Sequence, residues 1–224
     1  MRGLLCRALG AQAHELPALG WAFAYFFLLL CSYYILRPVR DEMAVQAGAG
    51  QLQWLFTATF VAMLVLVPIF GALCAKLGRA RLLPAVYLFF ALNLAGFWAA
   101  PGAGFSVREI APVFFVWLSV FNLFVVSVFW SFMADLFDEK QAARFFGVIA
   151  AGGSCGAIAG PAITALAVTQ IGAPRLLLLS GLLLVGAVGC IQMLLEWARQ
   201  HPRQGEARAE DPIGGSILAG ARAA

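Results

Sequence analysis

The apolar segment at residues 176–197 decides the fold class, and it reads LLLLSGLLLVGAVGCIQMLLEW. Its single charged residue, Glu196, stands next to its end. A helix that crosses the hydrocarbon core of a bilayer needs about 20 mainly apolar residues. The segment therefore predicts a transmembrane helix.

Five further segments of the same kind precede it, at residues 17–37, 52–73, 82–100, 110–132 and 145–168. Turn and helix-stop residues fall between them: Pro38, Gly78, Pro101-Gly102, the charged run 138–140, and Gly172 with Pro174. Alternating strand patterns are absent. We therefore predict an all-α integral membrane protein with six transmembrane helices over residues 17–200. A cytoplasmic segment at 1–16 precedes the bundle. A polar cytoplasmic tail, or the start of a central loop, follows at 201–224.

The composition supports this class. Of the 224 residues 62% are apolar and 12% are charged, whereas soluble domains carry about 25% charged residues. An ordinary soluble enzyme, a disordered chain and a basic nucleic-acid-binding domain are excluded. The five cysteines form no CxxC pair and no cluster with histidine, so we expect no metal. No phosphate-binding loop of the form GxxxxGK[ST] is present, and we expect neither ATP hydrolysis nor a cofactor.

The basic residues predict the orientation. Eleven of the 15 lysines and arginines fall in the N-terminal segment, in alternate loops and in the tail. The other four are Arg37, Arg40, Arg108 and Arg175. Because cytoplasmic loops are enriched in Lys and Arg, both termini should be cytoplasmic in an inner (plasma) membrane. The net charge of +4 then reflects topology rather than nucleic-acid binding.

The end of the first segment carries candidate substrate-binding residues. In a helix Tyr33, Arg37 and Arg40 fall near one face, since residues three and four apart are neighbours. Charge at membrane depth is costly and usually faces a water-filled pathway. The cluster therefore predicts a cationic wall for an anionic substrate. The alternative is an interfacial cluster that reaches the headgroups, with Arg37 paired to Asp41.

The fourth segment contributes further candidates. Asn122 and Trp130 lie within it and join the predicted substrate-binding set, although Asn122 could equally bond a neighbouring helix. Asp135 stands at its inner end, shortly before Arg144 of the fifth segment. We expect this acid and arginine to brace the cytoplasmic side as a gate.

The fifth segment carries a small-residue strip. Gly152, Gly156 and Gly160 recur every four residues, which lets two helix backbones touch. Pro161 is tolerated because neighbouring groups satisfy the freed carbonyl. The same stretch reads G-x-S-x-G around Ser154, which raises an intramembrane serine protease as an alternative. The two histidines, His14 and His201, lie outside the apolar segments, so we expect no enzyme.

Three of these motifs resemble the major facilitator superfamily. The loop 71–81, GALCAKLGRAR, is similar to a loop signature of that family at Gly71, Lys76, Gly78 and Arg79, with Ala75 where the family has an acid. Gly156, Gly160 and Pro161 resemble the fifth-helix signature of facilitator antiporters, although Ile163 and Thr164 stand where small residues are usual. Asp135, Arg144 and Gly147 resemble the loop between helices four and five.

The resemblance implies the N-terminal six-helix half of a facilitator fold, built as a 3+3 inverted repeat. In that arrangement helices one and four line the cavity, two and five face the other half, and three and six support them. Substrate binds near the midplane, with alternating access and no cofactor. Since a facilitator has two such halves, we expect a homodimer, a separate second half or, most simply, a truncated product.

A narrower resemblance concerns the substrate. YILRPVRD at 34–41 and SVFWSF at 127–132 look like segments of the ATP/ADP translocase family of plastids and intracellular bacteria. Arg40 matches the basic position in helix one, whereas Asn122 lies near the depth at which an acid is expected in helix four. The resemblance implies a secondary transporter for a small organic anion, with nucleotide exchange as the narrower function. The alternative is a non-transporting membrane scaffold or assembly partner. The expected partners are the lipid bilayer and the solute, and not nucleic acid.

Overall fold

The computed structural model describes residues 12–47, 50, 52–76 and 79–201. Over these residues it contains six long α-helices: α1 (Leu16–Ala47), α2 (Leu52–Lys76), α3 (Arg79–Ala99), α4 (Val107–Leu136), α5 (Glu139–Ile171) and α6 (Ala173–Gln200). A short 3₁₀ helix, Ala100–Ala103, separates α3 from α4. The described part of the chain is therefore all-helical, as predicted. The predicted N-terminal segment up to residue 11, Gly78, and the tail from residue 202 lie outside the described residues.

Five of these helices are long and apolar enough to cross a membrane, namely all except α2. Over the residues whose side chains the structure describes, α2 contributes a shorter apolar stretch, Gln53–Ile69, while the helix itself continues to Lys76. The helical class is thus confirmed, whereas six crossings and the inverted repeat stay predictions.

The connections between α3, α4, α5 and α6 follow the predicted breaks. Glu109 caps α4 by accepting a hydrogen bond from the Ser106 amide at 2.8 Å, and Asp138 caps α5 by accepting one from the Gln141 amide at 2.7 Å. Gly172 has a φ of 78°, in the region that only glycine adopts without strain, and α6 begins at the next residue. These connections are short, so consecutive helices run antiparallel.

The break predicted at Pro38 is wrong, because α1 continues through it to Ala47. Pro38 has no N–H, and the Tyr34 carbonyl therefore loses its usual helical partner. On the next residue, the Ile35 carbonyl accepts a hydrogen bond from the Thr164 hydroxyl of α5 at 3.1 Å. Neighbouring helices and Thr side chains of this kind make proline tolerable inside membrane helices.

The packing places α1 at the centre, against α4, α5 and α6, while α3 packs on α6 and α2 packs mainly on α4. Tyr25, Leu29 and Ile35 of α1 are fully buried. In contrast α2 exposes large apolar side chains such as Trp54 (73%) and Phe60 (67%). An apolar surface of this extent suits a lipid or protein environment rather than water.

Hydrogen bonds inside the bundle fix the position of α1. The hydroxyl oxygens of Ser32 on α1 and Ser180 on α6 lie 2.7 Å apart, and each hydroxyl also reaches the other residue's carbonyl. Tyr25 donates to the hydroxyl of Tyr87 on α3, and Tyr87 donates to the Val125 carbonyl on α4 at 3.1 Å. Buried polar groups are thereby paired across helices, as the absence of water in a bilayer requires.

Candidate functional site

The interface between α1 and α4 is built from side chains that recur every seven residues on α1. Seven residues make about two helical turns, so these positions share one face. The contacts pair Phe26 with Phe129 (4.2 Å between ring centroids), Tyr33 with Phe121 (6.5 Å) and Arg40 with Phe115 (4.8 Å from Cζ to the centroid). The predicted residues Tyr33 and Arg40 therefore both face α4. Because α4 runs antiparallel to α1, the three contacts follow one another along the interface from Phe26 to Arg40.

Arg40 is a cation at the α1–α4 interface with an aromatic contact and an ion pair. Its guanidinium lies over the Phe115 ring, and its Nε and Nη2 donate to the same oxygen, Oδ1, of Asp41 at 2.9 and 2.7 Å. The Arg40 side chain is 16% exposed, whereas that of Asp41 is 55% exposed. The alternative interpretation paired Arg37 with Asp41, and that pair is wrong, because the Asp41 carboxylate bonds Arg40.

Arg37 lies on an exposed part of α1, with its guanidinium 5.8 Å from the centroid of the Tyr34 ring. Within the described residues it makes no ion pair. Glu42, the other acid of this turn, lines a separate apolar pocket with Val39 and Trp98. The two arginines thus stand about one turn apart at the C-terminal end of α1, with one of them neutralised by Asp41.

Trp130 lies away from the two arginines of α1. Its ring contacts Phe26 of α1 and Phe146 of α5, each at 5.3 Å between centroids. Phe26 precedes Arg40 by two of the seven-residue steps, or about 21 Å at 1.5 Å per residue. Tyr33, Arg37 and Arg40 therefore lie within two turns of one another on α1 but contact different side chains, and Trp130 lies at the other end of the interface. Tyr33 is buried between the two.

Asn122 offers a polar group on the α4 side. It follows Phe115 by seven residues and Ser119 by three, so the three share a face. The Ser119 hydroxyl donates back to the Phe115 carbonyl at 3.0 Å. Asn122 is half-buried, and its amide has no hydrogen-bonding partner in the described part of the chain. Its amide therefore has hydrogen-bonding capacity that the described part of the chain leaves unused.

The opposite end of the bundle holds a buried acid that the sequence patterns did not single out. Glu15 is 3% exposed, and its Oε1 accepts hydrogen bonds from Gln141 Nε2 at 2.7 Å and from Arg144 Nη2 at 3.4 Å. Arg144 was predicted to brace this side with Asp135, and the structure adds Glu15 as its partner across α1 and α5. The available signal was a lone acid directly before the first apolar segment, on the same side of the bundle as Lys140 and Arg144 in the first turns of α5.

The other predicted gate residues are placed as follows. Gly71 lies on α2 with open space around it. Lys76 ends α2 and Arg79 begins α3, and only their backbone is described. Asp135 is half-buried in the last turn of α4. The gating role of this set stays a prediction.

The glycine strip of α5 lies against the backbone of α1. A Cβ on Gly152 would stand 2.6 Å from the Phe23 carbonyl oxygen, and one on Gly160 would stand 2.7 Å from Tyr34 Cβ. Gly156, between them, faces the carbonyl of Phe27. Pro161 is exposed beside the strip. Only glycine allows this approach, which sets the position of α1 and of the arginines that it carries.

The serine of the G-x-S-x-G pattern has no catalytic setting. Ser154 lies on the exposed face in the middle of α5 and donates back to the Ala150 carbonyl at 3.3 Å, whereas a nucleophile elbow needs a sharp strand-to-helix turn. His14 and His201 stack on each other at the end of the bundle, with 5.3 Å between ring centroids. Over the described ranges, His, Cys, Asp and Glu side chains form no cluster that could hold a metal ion.

Comparison with known proteins assigns the family. The sequence model of the Major Facilitator Superfamily matches residues 22–222, from the first turns of α1 to beyond the end of α6. No curated protein and no solved structure matches the chain. The match covers all six helices, and members of this family are transporters rather than enzymes. The chain is therefore a multi-pass membrane transport protein that belongs to the Major Facilitator Superfamily.

Proposed function

We propose that the chain is a secondary active transporter, or one half of one, for a small organic anion. The observation that carries the proposal is the placement of Arg40 over Phe115, between the central helix α1 and α4. A cation in a membrane is costly in free energy and usually faces a water-filled pathway. Arg37, one turn away and without an acidic partner in the described structure, adds to the same positive surface.

The narrower proposal is exchange of nucleotides of the ATP/ADP type. An arginine guanidinium matches phosphate oxygens in a two-point hydrogen-bonded geometry, and two arginines stand at this end of α1. Aromatic faces suit a nucleobase because every base has a π-face that stacks, and Tyr34 lies under Arg37. The unpartnered amide of Asn122 supplies a hydrogen-bonding group farther along the α4 face. The two arginines would also suit phosphorylated anions other than nucleotides.

Transport of this kind needs no cofactor, since a gradient or a counter-substrate supplies the free energy. We propose six membrane crossings arranged as a 3+3 inverted repeat, with both termini cytoplasmic in the inner membrane. The exposed apolar face of α2, with Trp54 and Phe60, supports a protein partner in the membrane. A second copy of the chain or a separate second half would cover it.

The second candidate is a membrane scaffold or assembly partner without transport. The same exposed face of α2 favours it, because an apolar surface in a bundle this small could serve assembly alone. Under this function the arginines of α1 would act only as interfacial anchors. Their replacement would then leave every solute flux unchanged.

Counterflow in proteoliposomes tests the proposal. Vesicles that contain the purified chain and unlabelled ADP are placed in labelled ATP, with protein-free vesicles as the control. A transporter gives saturable accumulation of label that depends on the internal ADP. The assay is repeated with a supplied second half, since a half carrier should transport poorly by itself. Uptake equal to that of protein-free vesicles in both forms would contradict nucleotide exchange and favour the scaffold.

A further inference from the structure

We propose that Asp41 is a built-in counter-ion that occupies the anion-binding edge of Arg40 until a multiply charged substrate displaces it. The inference rests on the proposed function and adds a determinant of specificity to it. Asp41 was not among the predicted site residues. The geometry of its contact with Arg40 points to this role.

A substrate can form stronger hydrogen bonds with Arg40 than Asp41 does. Nε and Nη2 of Arg40 both donate to Oδ1 of Asp41, at 2.9 and 2.7 Å. The second carboxylate oxygen accepts nothing within the described structure. Two parallel hydrogen bonds to two different oxygens make the stronger arginine–anion geometry. The two donors of Arg40 therefore share one oxygen of Asp41, whereas a phosphate group would offer each donor its own oxygen.

The position of the two residues on α1 also keeps the contact weak. Neighbours in a helix point in directions about 100° apart, so residues i and i+1 do not face each other. The Arg40 side chain bridges that angle while its guanidinium stays on the Phe115 ring. Asp41 is 55% exposed, and water and salt compete for an exposed carboxylate. The Arg40 guanidinium thus rests on the Phe115 ring of α4, while its counter-ion lies on the exposed side, where an incoming anion can replace it.

A replaceable counter-ion beside Arg40 favours one class of substrate, the polyanions. An anion with one negative charge would exchange one carboxylate-like partner of Arg40 for another and gain little. A phosphate or pyrophosphate group brings more charge and several acceptor oxygens, and Arg37 stands one turn away to meet them. Asp41 therefore favours polyanions over monocarboxylates, and it keeps Arg40 neutralised when the site holds no substrate.

Equilibrium binding of labelled ATP to the purified chain in detergent tests the proposal. Inorganic pyrophosphate and acetate serve as competitors. D41N removes the charge at an exposed position and keeps the shape, so the fold should persist. The dissociation constant of D41N should fall about five-fold, the upper range for an exposed ion pair, and acetate should begin to compete. D41E retains the charge and should behave as the wild type.

E42Q is the matched control, since it removes the same charge from the next residue of the same helix without touching the Arg40 pair. Its affinity for ATP should stay within two-fold of the wild type. Wild-type and D41N chains that bind ATP equally well would overturn the counter-ion role while the anion site stands. An equal gain in ATP affinity in E42Q would overturn it as well, because the loss of any negative charge near the site would then explain the result. No binding of ATP by any variant would overturn the nucleotide site, and the counter-ion role with it.

Discussion

Gly156 of α5 lies against the carbonyl of Phe27 in α1, so closely that a Cβ on the glycine would overlap that oxygen and stand 3.0 Å from the Cys31 nitrogen. The flanking glycines of the strip make similar contacts with the same helix. Since α1 also carries Arg37 and Arg40, this contact couples the small-residue strip of α5 to the position of the proposed anion site.

Replacing Gly156 with Ala should separate α1 from α5 and destabilise the bundle. Overpacking of this kind costs about 1–3 kcal/mol. The detergent-solubilised variant should lose its monodisperse chromatographic peak at a lower temperature than the wild type. Gly147→Ala is the control on the same helix, because a Cβ there meets nothing within 4 Å. Equal stability of the two variants would show that the close approach does not hold the helices.

Glu15→Gln should weaken the end of the bundle where α1 meets α5. Glu15 is buried and accepts hydrogen bonds from Gln141 and Arg144. Hydrogen bonds to a charged group contribute about 1.5–3 kcal/mol each, and the part-exposure of Arg144 puts the expected loss near the lower value. Resistance to unfolding in denaturing detergent should fall, whereas Glu139→Gln, at an exposed position in the first turn of α5, should match the wild type.

The two buried serines of α1 and α6 should prove energetically coupled. Ser32→Ala and Ser180→Ala each leave polar groups of the other residue without their partner, and the double variant removes both hydroxyls. Interhelical hydrogen bonds in membranes contribute about 0.6 kcal/mol on average and up to about 1.7. A double-mutant cycle of unfolding free energies should return a coupling in that range. Strictly additive losses would mean that the pair is not formed in the bilayer.

Phe115→Leu should weaken anion binding without loss of any charge. The ring holds the Arg40 guanidinium at 4.8 Å, and a partly desolvated cation–π contact contributes about 1 kcal/mol, which corresponds to roughly five-fold in affinity. The concentration of ATP that gives half-maximal counterflow should rise by that factor. Phe56→Leu, an exposed position whose ring contacts Phe115 from α2, is the control. An equal rise in both variants would contradict a specific role of the Phe115 ring.

Much of the architecture follows from local sequence features. The caps at Ser106 and Asp138 and the positive φ at Gly172 are determined by nearby residues, and the predicted breaks there agree with the structure. The break predicted at Pro38 is wrong because α1 continues through the proline, packed against α5, whose Thr164 hydroxyl bonds the adjacent Ile35 carbonyl. Whether a membrane helix ends at a proline therefore depends on the helices that pack against it.

The candidate site was predictable only in part, for the same reason. Helical spacing places Tyr33 and Arg40 near one face of α1, and both contact α4. Spacing does not show which acid an arginine selects, and the pairing of Arg40 with Asp41 depends on the aromatic support from Phe115. The separation of Trp130 from Arg40 depends on the direction and register of α4 along α1. Glu15 was missed because its burial requires α5 to lie beside the start of α1.

The most direct test of the anion site compares Arg40→Ala with Arg108→Ala in the counterflow assay. Arg108 is exposed at the start of α4, so its loss removes the same charge from the bundle without touching the α1–α4 interface. The wild type and Arg108→Ala should accumulate labelled ATP against internal ADP. At ATP concentrations below half-saturation, Arg40→Ala should lose about nine-tenths of that uptake, as expected for a tenfold loss of affinity, or about 1.4 kcal/mol. Equal accumulation by the two variants, with both chains intact and inserted, would contradict a substrate-binding role for Arg40.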